Sequence, residues 1–322
     1  MTSALRAHAA LRAAGLAGAG LVRRAVNSHN EIWFAGPYVV RVDPNPRSRR
    51  LQHEVRVLGR LPAEVPAAPV FGHGREQFGE WLVVGRVDGS ELSRAWPTMT
   101  VEQRERAVTA VGRAMAAIHS VDAVAGRLDE GLPDDPMACP HQLPAERLAE
   151  RLGEAARLPF VDRGMIEAAV VQLATKASAL DRHPRSLVHG DLHFENVLWN
   201  GHDVTAIVDF EWARPGPRDL DLDVLLHALA DPSVHVGRDY DVVPQRYDFD
   251  RVAGWLRASY PALFEHPRLD ERLWIYRLSY DTRALLLDPP SDRLERLSPH
   301  HPYQRLHRLV EGRSDLGWVL SD

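Results

Sequence analysis

The texture of the chain changes once along its length, and that change limits the folds open to it. Up to about residue 90 the apolar residues fall into short β-rich runs: Leu21–Val26, Glu31–Phe34, Tyr38–Val42, Val70–Gly72 and Trp81–Val87. Asn27-Ser28-His29-Asn30 and Ala35-Gly36-Pro37 separate the first three. Gly, Pro and Asn between apolar runs mark hairpins, so these predict an antiparallel meander. An amphipathic helix is expected over Met1–Leu21, because Arg6, His8 and Arg12 break its apolar run where a signal peptide would carry no charge. A second is expected over Ser48–Leu61, with Leu51, Val55, Leu58 and Leu61 on one stripe. From Thr100 onward the pattern is helical, over Val101–Ser120, Pro144–Leu158, Asp162–Leu180 and from Leu220 to the end. One β-rich insertion, Leu187–Phe210, interrupts it. Strands first and helices later predict an α+β chain with a small antiparallel-sheet N-lobe and a large helical C-lobe. The expected division is 1–87 and 88–322.

Composition narrows the setting. At 322 residues with 45% hydrophobic and 26% charged residues, the chain reads as an ordinary globular protein without a membrane partner. The lone Cys139 has no internal disulfide partner, which points to the reducing cytoplasm. A net charge of −5 argues against nucleic acid as a partner. Residues 1–100 hold thirteen arginines against eight acids, so the remainder holds 26 basic and 36 acidic residues. Lys176 is the only lysine in the chain, and basic contacts to phosphate elsewhere must come from arginine.

The insertion carries the chemistry. Val197–Trp199 and Val204–Val208 flank a turn holding Asn200-Gly201, a strong hairpin signal. Folded on that turn, Asn196 is expected opposite roughly Ile207. Neighbouring strands lie about 4.8 Å apart, so Asn196 and Asp209 should meet at one mouth of the hairpin. An amide oxygen and a carboxylate there suit a hard cation such as Mg²⁺. Asp191 sits in the loop feeding the same mouth, where a catalytic base would stand. Phosphoryl transfer needs that set, together with a cation on the nucleotide phosphates held by a helix carboxylate. Arg41, a charge inside an apolar strand, and Glu54, at the edge of the second helix's stripe, supply such a pair. His189, Asp191 and His193 alternate as a metal-ligand string would, but no second cluster completes a metal site.

These elements resemble the aminoglycoside phosphotransferases and their relatives, the choline, homoserine and macrolide kinases. His189, Gly190, Asp191 and Asn196 match the family's His-Gly-Asp-x-x-x-x-Asn element, and Asp209 matches its metal-binding Asp. Asp221, within Asp219-Leu220-Asp221-Leu222, matches the downstream Asp that braces the catalytic loop. The likeness runs from about Val22 to Ala230 and loosely beyond. It implies a protein-kinase-like two-lobed fold and a small-molecule kinase using ATP or GTP with Mg²⁺. Asp191 would be the catalytic base, and Asn196 and Asp209 the metal ligands. Ser28, Arg41, Glu54, Gly85 and Val87 would bind nucleotide, the last two through the backbone beside adenine. Three departures stand out: Arg41 where most kinases use lysine, Phe210-Glu211 after the metal Asp, and no glycine in the Ser28-His29-Asn30 turn.

The acidic surplus after residue 100 predicts a cationic hydroxyl acceptor such as an aminoglycoside. Asp129, Glu130, Asp134, Asp135 and Asp281 are the candidate contacts. The alternatives are a macrolide, lined by Trp274, Tyr276 and Tyr280, a choline- or homoserine-like metabolite, or a nucleotide-binding pseudokinase without transfer activity.

Overall fold

The computed structural model describes residues 2–20, 23–24, 31–123, 128, 144–180, 186–232 and 242–314. Ser28, Cys139 and the acidic loop Asp129, Glu130, Asp134 and Asp135 lie outside them. The chain divides into two compact units. The first comprises Met1–Leu132, Ser186–Pro215 and Val236–Val243, and the second Pro133–Arg185, Gly216–His235 and Pro244–Asp322. No helix among the described residues is long and apolar enough to cross a membrane.

The first unit opens with helix α1 (Ser3–Ala13), capped by the Thr2 side chain. The sheet that follows has strands β1 (Arg23–Arg24), β2 (Glu31–Ala35), β3 (Tyr38–Asp43), β4 (Val70–Glu76) and β5 (Gly79–Gly85) in the order β1-β2-β3-β5-β4, with every neighbouring pair antiparallel. Ala7, Ala10 and Leu11 of α1 bury against Val40, Val42, Trp81 and Val83, so alternate positions of β3 and β5 close the core beneath the helix. Helix α2 (Arg50–Leu58) is shorter than its sequence pattern, and Gly59 caps it. Its buried residues are Leu51, His53, Glu54 and Val57, while Val55 and Leu58 are only half-buried. Two polar side chains with partners inside the unit have taken the place that the apolar stripe assigned to Val55 and Leu58.

Strand β6 (Ser90–Glu91), the short helix α3 (Leu92–Ala95) and helix α4 (Val101–His119) come next. A reciprocal capping box between Thr100 and Gln103 starts α4. The insertion returns to this unit as β7 (Ser186–Val188), β8 (Val197–Trp199) and β9 (Val204–Ile207), with β8 between β6 and β9. The hairpin differs from expectation by one residue. Trp199 pairs with Val204, but beyond an irregularity Val197, not Asn196, faces Ile207. Thr205 is the extra residue, and its hydroxyl is held by the carbonyls of Asp88 at 2.6 Å and Leu198 at 3.3 Å. A bulge of this kind shifts register without breaking the ladder.

The second unit is helical: α5 (Ala145–Ala155), α6 (Arg163–Lys176), α7 (Asp219–Ala230), α8 (Val252–Ser259), α9 (Leu269–Leu287) and α10 (Pro302–Val310). Helix α7 is buried nearly all round despite three acids in its first five residues. Two arginines of α9 answer two of them, Asp219 and Asp223. Arg272 grips Asp219 through two nitrogens and also donates to the Ala179 carbonyl at 2.8 Å and to the Tyr276 hydroxyl at 2.7 Å. Arg277 Nε donates to Asp223 at 2.6 Å. Trp274 and Tyr276 are core residues of this unit, 7% and 3% exposed. Removing one partner of such a pair strands a buried charge. Asp219→Ala should therefore cost about 3 kcal/mol or more, read as a lower denaturant midpoint, whereas alanine at the exposed Arg147 should leave the midpoint unchanged.

Candidate active site

The site lies within the first unit, where β3, α2, the loop before β8 and the residues after β9 meet. At its centre is Arg41 on β3, only 7% exposed. Its Nη1 donates to both oxygens of Glu54 at 2.7 Å, its Nη2 to Asp209 Oδ1 at 2.7 Å, and Glu211 Oε2 lies 3.5 Å from Nη2. Three carboxylates therefore share one guanidinium, with Arg50 adding a second, looser contact to Glu211 at 3.5 Å. Burial opposes the charge on Arg41, but these carboxylates outweigh it and raise the guanidinium pKa. For Glu54, burial and the charges of Asp209 and Glu211 win over Arg41, and its pKa is pushed up to about 7. The Arg41–Glu54 pair expected from the sequence is thus present. Glu211 was seen there only as a departure from Phe-Gly.

The loop before β8 is built around His189, which is fully buried. Its Nδ1 accepts the Asp191 backbone N–H at 3.3 Å, and its Nε2 bonds the Val208 carbonyl at 3.0 Å. One nitrogen accepts and the other must donate, which defines a neutral imidazole protonated at Nε2. The ring also packs on Phe210, with centroids 4.5 Å apart. A single side chain therefore fixes the start of the Asp191 loop to the residues flanking Asp209. Gly190 has φ +80, and a Cβ there would lie 2.6 Å from the Trp212 carbonyl, so no other residue fits without displacing the backbone.

Asn196 is 8% exposed. Its Nδ2 donates to the Asp191 carbonyl at 2.8 Å and reaches Asp191 Oδ2 at 3.4 Å. Val208 N–H donates to the Asn196 carbonyl at 3.0 Å, holding the residue at the hairpin mouth despite the shifted register. Asp209 takes a left-handed backbone, φ 67 and ψ 55, sparsely populated by residues with a Cβ and often retained at functional positions. The Asp191 and Asp209 side chains are 40% and 36% exposed, unlike the buried groups that orient them. His193 Nε2 lies 3.6 Å from Asp191 Oδ1. Burial pulls the His193 pKa down, but the attraction of Asp191, with the charges of Glu195 and Asp209, carries it above the ordinary value.

The chemistry of this donor set fits one hard cation completed by phosphate and water. No group of three or more His, Cys, Asp or Glu able to hold a metal occurs among the described residues. Mg²⁺ does not need one, since it is commonly held by one or two protein oxygens plus substrate phosphates. Asn196 spends its amide nitrogen on Asp191, which leaves its Oδ1 as an acceptor. Asp209 spends Oδ1 on Arg41. The Arg41 Nε is buried and makes no hydrogen bond among the described residues, a donor suited to a phosphate oxygen. Of the two positions expected beside adenine, the Gly85 N–H is used internally by the Pro69 carbonyl at 2.8 Å. Val87 is half-buried. Ser28 lies outside the described residues.

Fold and site together define a kinase of small molecules. The phosphotransferase enzyme family, APH, matches residues 23–255, and the chain belongs to it. Solved structures agree on the fold. An aminoglycoside 2'-phosphotransferase-IIIa in complex with GDP is 14% identical, with a TM-score of 0.64 and coverage of 97% of this chain and 98% of that one. A putative aminoglycoside phosphotransferase from Ralstonia eutropha JMP134 is 18% identical, with a TM-score of 0.59 and coverage of 99% and 97%. A thermostable mutant of aminoglycoside phosphotransferase APH(4)-Ia, in a ternary complex with ADP and hygromycin B, is 15% identical, with a TM-score of 0.59 and coverage of 94% and 95%. No curated protein matches the chain significantly.

His53, beside Glu54 on α2, bonds the Ala213 carbonyl through Nε2 and is fully buried. Burial holds its pKa below the usual range, helped by Arg56 and Arg214 and opposed by the Ala213 bond. The unfolded chain then binds more protons than the folded one below about pH 6.5, so stability present above that pH is lost as pH falls. Urea unfolding at about pH 7.5 and 5.5 should show that loss, and His53→Gln, which keeps a donor for Ala213, should lessen it.

Proposed function

We propose that the chain transfers the γ-phosphate of ATP or GTP to a hydroxyl of a small molecule, with Asp191 as the base. The observation that carries this reading is the Asp191–Asn196 hydrogen bond at the mouth where Asp209 meets Arg41 and Glu54. Asp191 orients the acceptor hydroxyl and takes up its proton as the oxygen attacks phosphorus. Asn196 and Asp209 hold Mg²⁺, which when bound neutralises charge on the β- and γ-phosphates. Arg41, braced by Glu54, directs its guanidinium at the α- and β-phosphates, and Val87 offers its backbone to the base. In this reading residues 1–87 are the nucleotide lobe, Ser28 and Gly85 included, and residues 88–322 the catalytic lobe.

For the acceptor, the acidic surplus after residue 100 supports a cation such as an aminoglycoside, as does the hygromycin B bound by one structural neighbour. That would make antibiotic resistance the role of the protein, with the cytoplasm as its place. Asp281, the one described residue among the candidate acidic contacts, is bonded to Arg305 at 2.7 Å. The macrolide alternative keeps only Tyr280, half-buried, of its three aromatic contacts, because Trp274 and Tyr276 are core residues.

Asp191→Asn should lower kcat by about 10²-fold or more, the usual scale for a general base, while Mg·nucleotide affinity in calorimetry stays close to wild type. Asp209→Asn should do the reverse first, weakening Mg²⁺-dependent nucleotide binding. If Asp191→Asn keeps most of its turnover, Asp191 is not the base. For a polycationic acceptor, KM should climb steeply between low and physiological salt, where exposed charges are screened beyond about 8 Å. A salt-insensitive KM would exclude charge-steered capture of the acceptor.

A further inference from the structure

The second unit contains a cavity of about 510 Å³, within the size range of small-metabolite sites. Its wall is carried by helices. On α9, Arg277 and Asp281 are four residues apart and share a face, and on α10, Arg305 and Arg308 are three apart and share another. With Arg246 and Arg313, the wall presents five guanidinium groups and two carboxylates, Asp231 and Asp281. This occurs in a chain whose net charge is −5 and whose acids predominate after residue 100.

The distribution of bonds decides what such a wall can receive. Both carboxylates already meet basic side chains of the same wall. Asp281, 3% exposed, takes Arg305 Nε at 2.8 Å and Nη2 at 2.7 Å. Asp231 takes His300 Nδ1 at 2.7 and 2.8 Å on its two oxygens. A cationic ligand would have to displace one of these pairs. Arg308 and Arg313 are less committed. Arg308, half-buried, donates to the Pro299 carbonyl at 3.0 Å, and no carboxylate among the described residues lies within 4.0 Å of it. Arg246 lies 3.9 Å from Asp250, with both side chains about half exposed. Arg313 pairs with the exposed Glu311, a contact of the kind worth little in water. A guanidinium offers five N–H donors in a fork that matches carboxylate and phosphate oxygens. Arg308 uses one of them within the described residues.

We propose that this cavity is an anion site, taking a small molecule that bears a carboxylate or a phosphate, with Arg308 as its principal contact and Arg246 and Arg313 at its rim. The assignment does not depend on the transfer reaction. The two sources of such an anion, an acid-bearing acceptor and an acid held without being phosphorylated, share this chemistry and differ in fate.

The test is calorimetry on the full chain without nucleotide, using inorganic phosphate, citrate and glucose 6-phosphate as probes. At least one should bind with one-to-one stoichiometry. Arg308→Glu, and the milder Arg308→Gln in case the charge reversal unsettles α10, should weaken that binding by about tenfold, the scale of one charge-assisted hydrogen bond. Arg147→Glu on the exposed face of α5 changes net charge equally and should leave it unchanged. Failure of every probe to bind, equal weakening by Arg147→Glu, or binding unaltered by both Arg308 variants overturns the assignment. Adding Mg·ATP to the bound probe then separates the sources: a phosphorylated product makes the anion the acceptor, and an unaltered probe makes it a ligand held without reaction. Because binding is read without nucleotide, a protein that fails to transfer phosphate still tests the cavity.

Discussion

One guanidinium carries the arrangement of the active site. Arg41 rises from a strand, and the groups it binds come from a helix and from the segment after β9, so its bonds to Glu54, Asp209 and Glu211 tie three separate pieces of chain at one point. The cost of burying such a charge is met only if its acceptors surround it, and here they do. Lysine could place a charge in the same position, but it could not reach Glu54 through one nitrogen and Asp209 through another in a fixed plane. Arginine also cannot shed its proton, so this junction keeps its positive charge across the whole working pH range. Burial, together with the excess of carboxylates around Arg41, falls on Glu54, whose pKa rises to about 7.

His189 does for the loop around Asp191 what Arg41 does for the carboxylates it gathers. By accepting from the Asp191 N–H and donating to the Val208 carbonyl, it makes the position of Asp191 depend on the residues beside Asp209. Asn196 adds a second tie through its amide. Asp191 is thus supported by two buried side chains that carry no negative charge. A site that gathers negative charge gains from supports that add none.

Much of this was legible in the sequence, because the chemistry is packed into short intervals. The span from His189 to Asp209 contains a hairpin, and any hairpin closed at Asn200-Gly201 brings Asn196 near Asp209 within a residue or so. The residue of error came from Thr205, whose hydroxyl bonds favour a bulge that no alternation of apolar residues reveals. The buried face of α2 was misplaced for a related reason. Apolar periodicity chose Val55 and Leu58, whereas satisfied polar groups, Glu54 on Arg41 and His53 on the Ala213 carbonyl, took the inner positions. The role of Glu211 had a signal, an acid two residues after Asp209, but its meaning depends on Arg41 lying opposite, a contact 170 residues away in sequence. Likewise, the acidic surplus of the later chain gave no sign that arginines gather around one cavity, since totals say nothing of which charges are already paired.

The left-handed backbone at Asp209 has a consequence for how this protein would respond to laboratory selection. Glycine adopts that conformation without penalty and asparagine with little, so either would relieve local strain, but only asparagine would keep an oxygen acceptor for the buried Arg41. A library screened for heat resistance alone would therefore be drawn toward asparagine at the position proposed to hold the metal. The most readily stabilised descendants of this chain would fold better and turn over less, and a screen meant to improve it would have to reward turnover from its first round.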